Sequence, residues 1–159
     1  DMDHEHNPFQ CNLGYQVSLS GKGEWNKQSD YVGKEALEKM KQQIKNGEKP
    51  YKLQLVGLEF GGKPVEDYAN DFWLISNEKG GKPVGFITSP WYHPEKGTNI
   101  AMGYVPYEGN LNSNGFPTGN FGKKYKVHLP QKYSAKPVNA TVVPLPFTES
   151  VNANTREVK

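Results

Sequence analysis

The sequence predicts a mainly β fold: about six short strands in a sandwich or small barrel, preceded by one α-helix and a short strand. Three observations carry this. From Tyr51 onward the apolar residues recur with a period of two. Glycine pairs at Gly61-Gly62 and Gly80-Gly81 divide that region into short runs. Only one segment of the chain has a helical period, with Ala36, Leu37, Met40 and Ile44 falling on a single face.

Taken in order, residues 1–13 form a polar lead-in through Asn7-Pro8, where proline pushes the preceding residue toward extended geometry. Tyr15, Val17 and Leu19 alternate with polar residues and predict the short strand. The helix is predicted over about 34–46. Glu35 and Lys39 stand in the favourable i,i+4 order, Asn46-Gly47 supplies a stop, and Pro50 prevents continuation.

In the next run Leu53 and Leu55 share one face, whereas Val56, Leu58 and Phe60 share the other. That change of phase predicts a bulge or sharp coil near Val56-Gly57. Phe72–Ile75 and Val84–Thr88 predict a hairpin turned at Gly80-Gly81. Ile100–Val105, Tyr125–Leu129 and Ala140–Val143 complete the set. The stretch 107–122 has no period and predicts a long loop. The predicted organisation is a linking segment over 1–50, a β domain over 51–147 and a tail over 148–159.

Composition narrows the function classes. The chain has 159 residues, enough for one modest core, and a formal net charge of +2, too small to steer it toward nucleic acid or an anionic membrane. Arg156 is the sole arginine, so two-pronged reading of phosphates or guanine lacks its usual residue. Nine Tyr, seven Phe and three Trp argue against disorder. Apolar runs fall far short of a membrane span. One cysteine, Cys11, excludes an intramolecular disulfide and fits a reducing, cytoplasmic setting. The chain opens at Asp1 without a leader or an initiator methionine, and the expectation is a parent polypeptide extending further upstream.

Few residues offer chemistry of their own. Asp1, Asp3, His4, Glu5 and His6 are metal-capable, but they lie in a polar chain end with nothing to fix them, and they read as a linker. Cys11 has no base fixed beside it and reads as a structural thiol. Trp91-Tyr92-His93-Pro94, placed in a loop after a strand ending at Ser89, could stack on a flat ring or pack against a neighbouring domain. No phosphate loop, serine elbow or paired-cysteine site is present, and no catalytic residue or metal ligand is assigned.

Four blocks together resemble the C-terminal part of the glycine-cleavage T-protein family. They are Asn7–Tyr15, Asp30–Leu37, Val84–Ser89 and Asn99–Pro106. The last is the most specific, because it follows a Val-Gly-x-Ile-Thr-Ser strand. Members of this family are tetrahydrofolate-dependent methyl and aminomethyl transferases. The resemblance implies an antiparallel Greek-key barrel that forms one wall of a folate cavity and is inactive alone. The folate-binding portion would lie upstream in the same parent protein, together with the site for a small-molecule methyl donor.

By motif, Asp1 and Met2 match a family pair near the folate. Tyr15 replaces the tryptophan of a Leu-Gly-Trp sequence close to the cofactor. Trp91 would face the other domains. Arg156, within Ser150–Glu157, would meet the glutamyl tail, as that run resembles the end of the aromatic O-demethylase branch. The Trp91–Pro94 run and the long 107–122 stretch depart from a glycine-cleavage enzyme and lean toward the tetrahydrofolate-dependent O- or S-demethylases. Two other readings stay open. One is a stand-alone β module that binds a small ligand or carbohydrate, which should stay monomeric rather than expose an apolar seam. The other is the C-terminal part of a folate-dependent dimethylglycine or sarcosine oxidase.

Overall fold

The structure, a computed structural model, describes residues 2–17, 31–109 and 121–147. Its elements are one 3₁₀ turn (Gly14–Gln16), α1 (Lys34–Lys45), β1 (Leu53–Phe60), β2 (Trp73–Asn77), β3 (Pro83–His93), β4 (Thr98–Pro106), β5 (Lys124–Val127) and β6 (Val138–Val143). The six strands close into an antiparallel barrel in the order β1-β4-β3-β2-β5-β6. Strands β2, β3 and β4 are consecutive neighbours, and β5 returns by a long connection to lie beside β2, which is the Greek-key arrangement. Of the two architectures that periodicity left open, the barrel is the one formed.

The barrel interior is packed. Val56, Leu58, Phe60, Val65, Trp73, Ile75, Ile87, Ala101, Val105, Tyr125, Val127, Ala140 and Val142 fill it as one cluster. Small closed barrels leave room for side chains and little else. Two glycines let β3 and β4 approach closely. A Cβ on Gly85 would lie 2.1 Å from the Tyr104 carbonyl oxygen, and one on Gly103 would lie 2.7 Å from that of Phe86. Asn99, fully buried, closes one end of the barrel. Its Oδ1 accepts from Val65 N–H at 2.9 Å, and its Nδ2 donates to the carbonyls of Gly61 and Lys63.

Three local expectations are corrected. Tyr15 does not begin a strand: Gly14–Gln16 is a 3₁₀ turn, closed by Gln16 N–H on Leu13 O and Val17 N–H on Gly14 O. Ser18 and Leu19 lie outside the described residues. No bulge interrupts β1, which pairs with β4 residue for residue from Leu53 to Phe60. The apparent phase change arises because both faces of β1 are covered: Val56, Leu58 and Phe60 by the barrel core, Leu53 and Leu55 by a second apolar cluster outside it. The register shifts fall instead in β2 at Ile75/Ser76 and in β3 at Ile87/Ser89. Finally, Trp91, Tyr92 and His93 continue β3, paired with Ile100, Asn99 and Thr98.

The predicted helix forms one residue shorter than expected. Leu37, Met40 and Ile44 pack against Phe9, Tyr51 and Tyr107, while Ala36 stays exposed. Most of the 107–122 stretch, residues 110–120, lies outside the described residues, as does the 148–159 tail.

Candidate functional site

Because the lumen is filled, any surface on which this chain meets a ligand or partner is on the outside of the barrel. Strand register defines that outer face. Alternation sends Val56, Leu58 and Phe60 of β1 inward, so Leu55, Gly57 and Glu59 point outward. Three cross-strand rows follow. The first runs Leu74, Phe86, Tyr104, Leu55 across β2, β3, β4 and β1; the second Ser89, Met102, Gly57; the third Trp91, Ile100, Glu59.

At the β1 end the chain covers these rows itself. Strand β1 pairs with β6 only over Gly57–Phe60. Beyond that the segment before α1 takes the vacant edge: Leu55 N–H donates to Gln10 O at 2.9 Å, and Asn12 Nδ2 donates to Leu55 O at 2.7 Å. The buried Gln54 amide donates to Phe9 O, Gln10 O and Asn12 Oδ1, fixing the segment from beneath. An Asn7 side chain accepting from Gln10 N–H makes the turn that presents those carbonyls. On the second row, Leu145 and Phe147 lie over Gly57, where a Cβ would meet them at 3.0 and 3.1 Å. On the third, Lys96 donates to Glu59 at 2.8 Å.

Tyr104 is the pivot of the first row. It is fully buried, with the His6 ring at 4.6 Å and the Phe86 ring at 5.3 Å. Its hydroxyl lies 3.6 Å from the buried Cys11 sulfur. Burial, reinforced by the contact with Cys11, pushes the phenol well above its ordinary range, so it stays a neutral packing group. The same burial effect raises Tyr51 and Tyr107, whose rings meet at 4.6 Å beside α1. Cys11 thus has a phenol, not a base, as its polar neighbour. Asp3 Oδ1 accepts from Glu5 N–H and lies 2.8 Å from His6 Nδ1, which lowers the Asp3 carboxyl. Among the described residues no three His, Cys, Asp or Glu side chains gather as a metal-ligand set.

At the β2–β3 end Phe72, Leu74 and Trp91 stand exposed. Phe72 is 64% exposed and stacks on Phe86 at 5.1 Å, Leu74 is 48% exposed, and Trp91 is 51% exposed. Phe72, Leu74 and Phe86 were not singled out from the sequence. The available signal was the unbroken apolar run Phe72–Ile75, which gives a barrel strand two apolar faces where an exposed strand alternates.

Of the five residues read as cofactor contacts, Met2 and Trp91 have described side chains. Met2 is 55% exposed on the segment that leads to His6, and Trp91 stands on the outer face of β3. Tyr15 lies in the 3₁₀ turn by its backbone, with its side chain outside the description. Asp1 and Arg156 lie outside the described residues. Among the described residues, no helix is long and apolar enough to cross a membrane.

Comparison with known proteins adds the following. The family described as the glycine cleavage T-protein C-terminal barrel domain matches residues 54–149. An aminomethyltransferase of Thermotoga neapolitana is 34% identical over 105 residues, which are 66% of this chain and 23% of that protein. The aminomethyltransferase of Thermosynechococcus vestitus is 32% identical over 148 residues, covering 92% of this chain and 32% of that protein. In fold, the chain is similar to a crystal structure of the glycine cleavage system aminomethyltransferase T from Bartonella henselae. That match has a TM-score of 0.56 at 20% identity and covers 89% of this chain and 32% of that one. The chain therefore spans about a quarter to a third of the length of these relatives.

Proposed function

The chain belongs to the glycine cleavage T-protein C-terminal barrel family, and from that membership we propose that it serves as the C-terminal domain of a tetrahydrofolate-dependent methyl or aminomethyl transferase. The observation that carries this reading is the match of nearly the whole barrel, residues 54–149, to that domain. In this reading residues 1–50 link to an N-terminal folate-binding portion, residues 51–147 are the barrel domain, and residues 148–159 are a tail. The parent acts in the cytoplasm on a small-molecule methyl donor.

Tetrahydrofolate, when bound, accepts the one-carbon group; this chain's part is to wall the cavity. The packed interior leaves only the outer surface for that role. Trp91 fits it, since an exposed indole offers a flat face for stacking on a pterin or benzoyl ring. Met2, Asp1 and Tyr15 belong to the segment that would approach the cofactor, and Arg156 is suited to a two-pronged pair with the glutamyl carboxylate. Such a wall excludes water and holds the reacting pair together without supplying a reacting group. The departures at Trp91–Pro94 and 107–122 favour transfer from oxygen or sulfur over the glycine-cleavage reaction.

The test is an assay of tetrahydrofolate-dependent methyl transfer by the full polypeptide as encoded and by the 159-residue chain. Turnover by the full polypeptide alone is the expected result. Turnover by the isolated chain overturns the reading.

A further inference from the structure

The first outer row is one apolar surface with two fates. Leu55 and Tyr104 are buried beneath Cys11, Leu13 and His6; the next member, Phe86, is half-buried against that cluster, and Leu74 opens to solvent with the exposed Phe72 stacked on Phe86. No charged residue stands in the row or at Phe72, Ser89, Met102, Trp91 and Ile100 around it. A barrel strand facing only water would alternate with polar side chains there. The segment that covers the buried half reaches as far as Tyr104, the row member beside Phe86: the Cys11 sulfur lies 3.6 Å from its hydroxyl and the His6 ring 4.6 Å from its ring. Polypeptide preceding residue 2 would thus continue from the same side of the barrel as the open part of the row.

We propose that Phe72, Leu74 and Phe86 form the docking surface for the polypeptide N-terminal to Asp1, which covers them with an apolar face of its own. The proposal rests on the reading of this chain as a C-terminal domain, and it deepens that reading by naming the surface that carries the contact. Two observations select this occupant. The chain spans only 23–32% of the relatives it matches, and the matched family is a C-terminal barrel, so the bulk of each relative lies before it. The bare patch is also continuous with a contact that the chain's own N-terminal segment already makes.

Cysteine accessibility tests this directly, because the only native cysteine, Cys11, is buried. Leu74→Cys and Phe72→Cys are labelled with a maleimide in the full polypeptide as encoded and in the 159-residue chain. Tyr68→Cys, exposed on the β1–β2 connection, is the control. The expected result is labelling slowed about tenfold or more at positions 72 and 74 in the full polypeptide, with no change at position 68. Equal rates in both forms overturn the proposal. Protection that appears in the 159-residue chain and grows with its concentration assigns the surface to a second copy, and overturns it as well. Tetrahydrofolate binding by the full polypeptide, measured alongside, separates the two claims. Protection without folate binding leaves the docking surface standing and removes the cofactor reading.

Discussion

Strands β1 and β2 each present a leucine to the outside of the barrel, yet Leu55 is buried and Leu74 is half exposed. The difference lies in what the rest of the chain supplies. Along β1 the edge left free by the short β6 is filled by residues 9–12, held by three hydrogen bonds from one buried glutamine. Leu145 and Phe147 close over Gly57 beside it. Along β2 and β3 the neighbours are themselves part of the bare patch. Burial of an outward residue in this barrel is therefore set by segments outside the sheet, and the sheet marks with its own composition where such segments are expected.

The largest effect should come from the interior, where no outside segment matters. Gly85→Ala forces a Cβ onto the Tyr104 carbonyl oxygen, a backbone atom that cannot swing aside. The expected outcome is loss of more than about 4 kcal/mol, the range reserved for steric conflicts in a packed core. It would be seen as failure to fold or as a sharply lowered urea midpoint. A near-normal midpoint would break the claim that β3 and β4 are held in contact at this point.

A matched pair of leucines sharpens the contrast. Leu58 is completely buried in the barrel, and Leu74 stands on the bare half of the outer face. Leu58→Ala should cost about 2–5 kcal/mol through lost burial and the cavity left behind. Leu74→Ala in the 159-residue chain should cost under about 1 kcal/mol, as surface substitutions do. Urea unfolding of both variants reads the two values on one scale. Similar costs would mean that the outer face is already packed in the isolated chain.

The same contrast explains what could be read from the sequence. Strand positions and the helix were legible because alternation and the 3.6-residue period report burial directly, as in Tyr125–Val127 and Leu37–Ile44. The barrel itself followed from the resemblance of Val84–Ser89 and Asn99–Pro106. The structure gives those blocks a physical basis in the Gly85–Gly103 approach and the Asn99 closure. What misled was burial on both faces. Leu53–Leu58 broke the alternation because a second layer covers β1, and a bulge is the reading that a one-layer rule gives. Tyr15 alternates with its neighbours, but a chain that turns at Asn12, with φ of 61°, and keeps the Phe9 ring against Gly14 cannot extend there. The site was the least legible part. Asp1, Met2 and Tyr15 rest on motif and Trp91 and Arg156 on side-chain chemistry, and a surface shared with other domains leaves no period in one domain's sequence.

The smallest expected effect concerns a charge cluster that ties the chain around the β1–β4 end. Glu108, just beyond β4, pairs with Lys123, which precedes β5, and lies 4.0 Å from Lys49, which precedes β1. The Lys123 bond holds the Glu108 carboxyl below its ordinary 4.5, outweighing the opposing effect of burial. Burial works to lower Lys123, but the bond to Glu108, the Glu108 charge and Tyr125 together outweigh it and the ammonium is raised. A lowered carboxyl stabilises the fold above its unfolded pKa, and that contribution is lost as pH falls through the folded value. A raised ammonium stabilises below its unfolded pKa, and loses the contribution as pH rises through the folded value. Both partners are more than a third exposed by side chain, at 41% and 35%, so solvent screening limits the pair to under about 1 kcal/mol. Glu108→Gln should therefore lower the thermal midpoint slightly near pH 7, and the two proteins should converge once pH has fallen below the ordinary carboxylate range, and in about 1 M salt. A gap that persists in acid would show that Glu108 holds Lys49 and Lys123 through packing rather than charge.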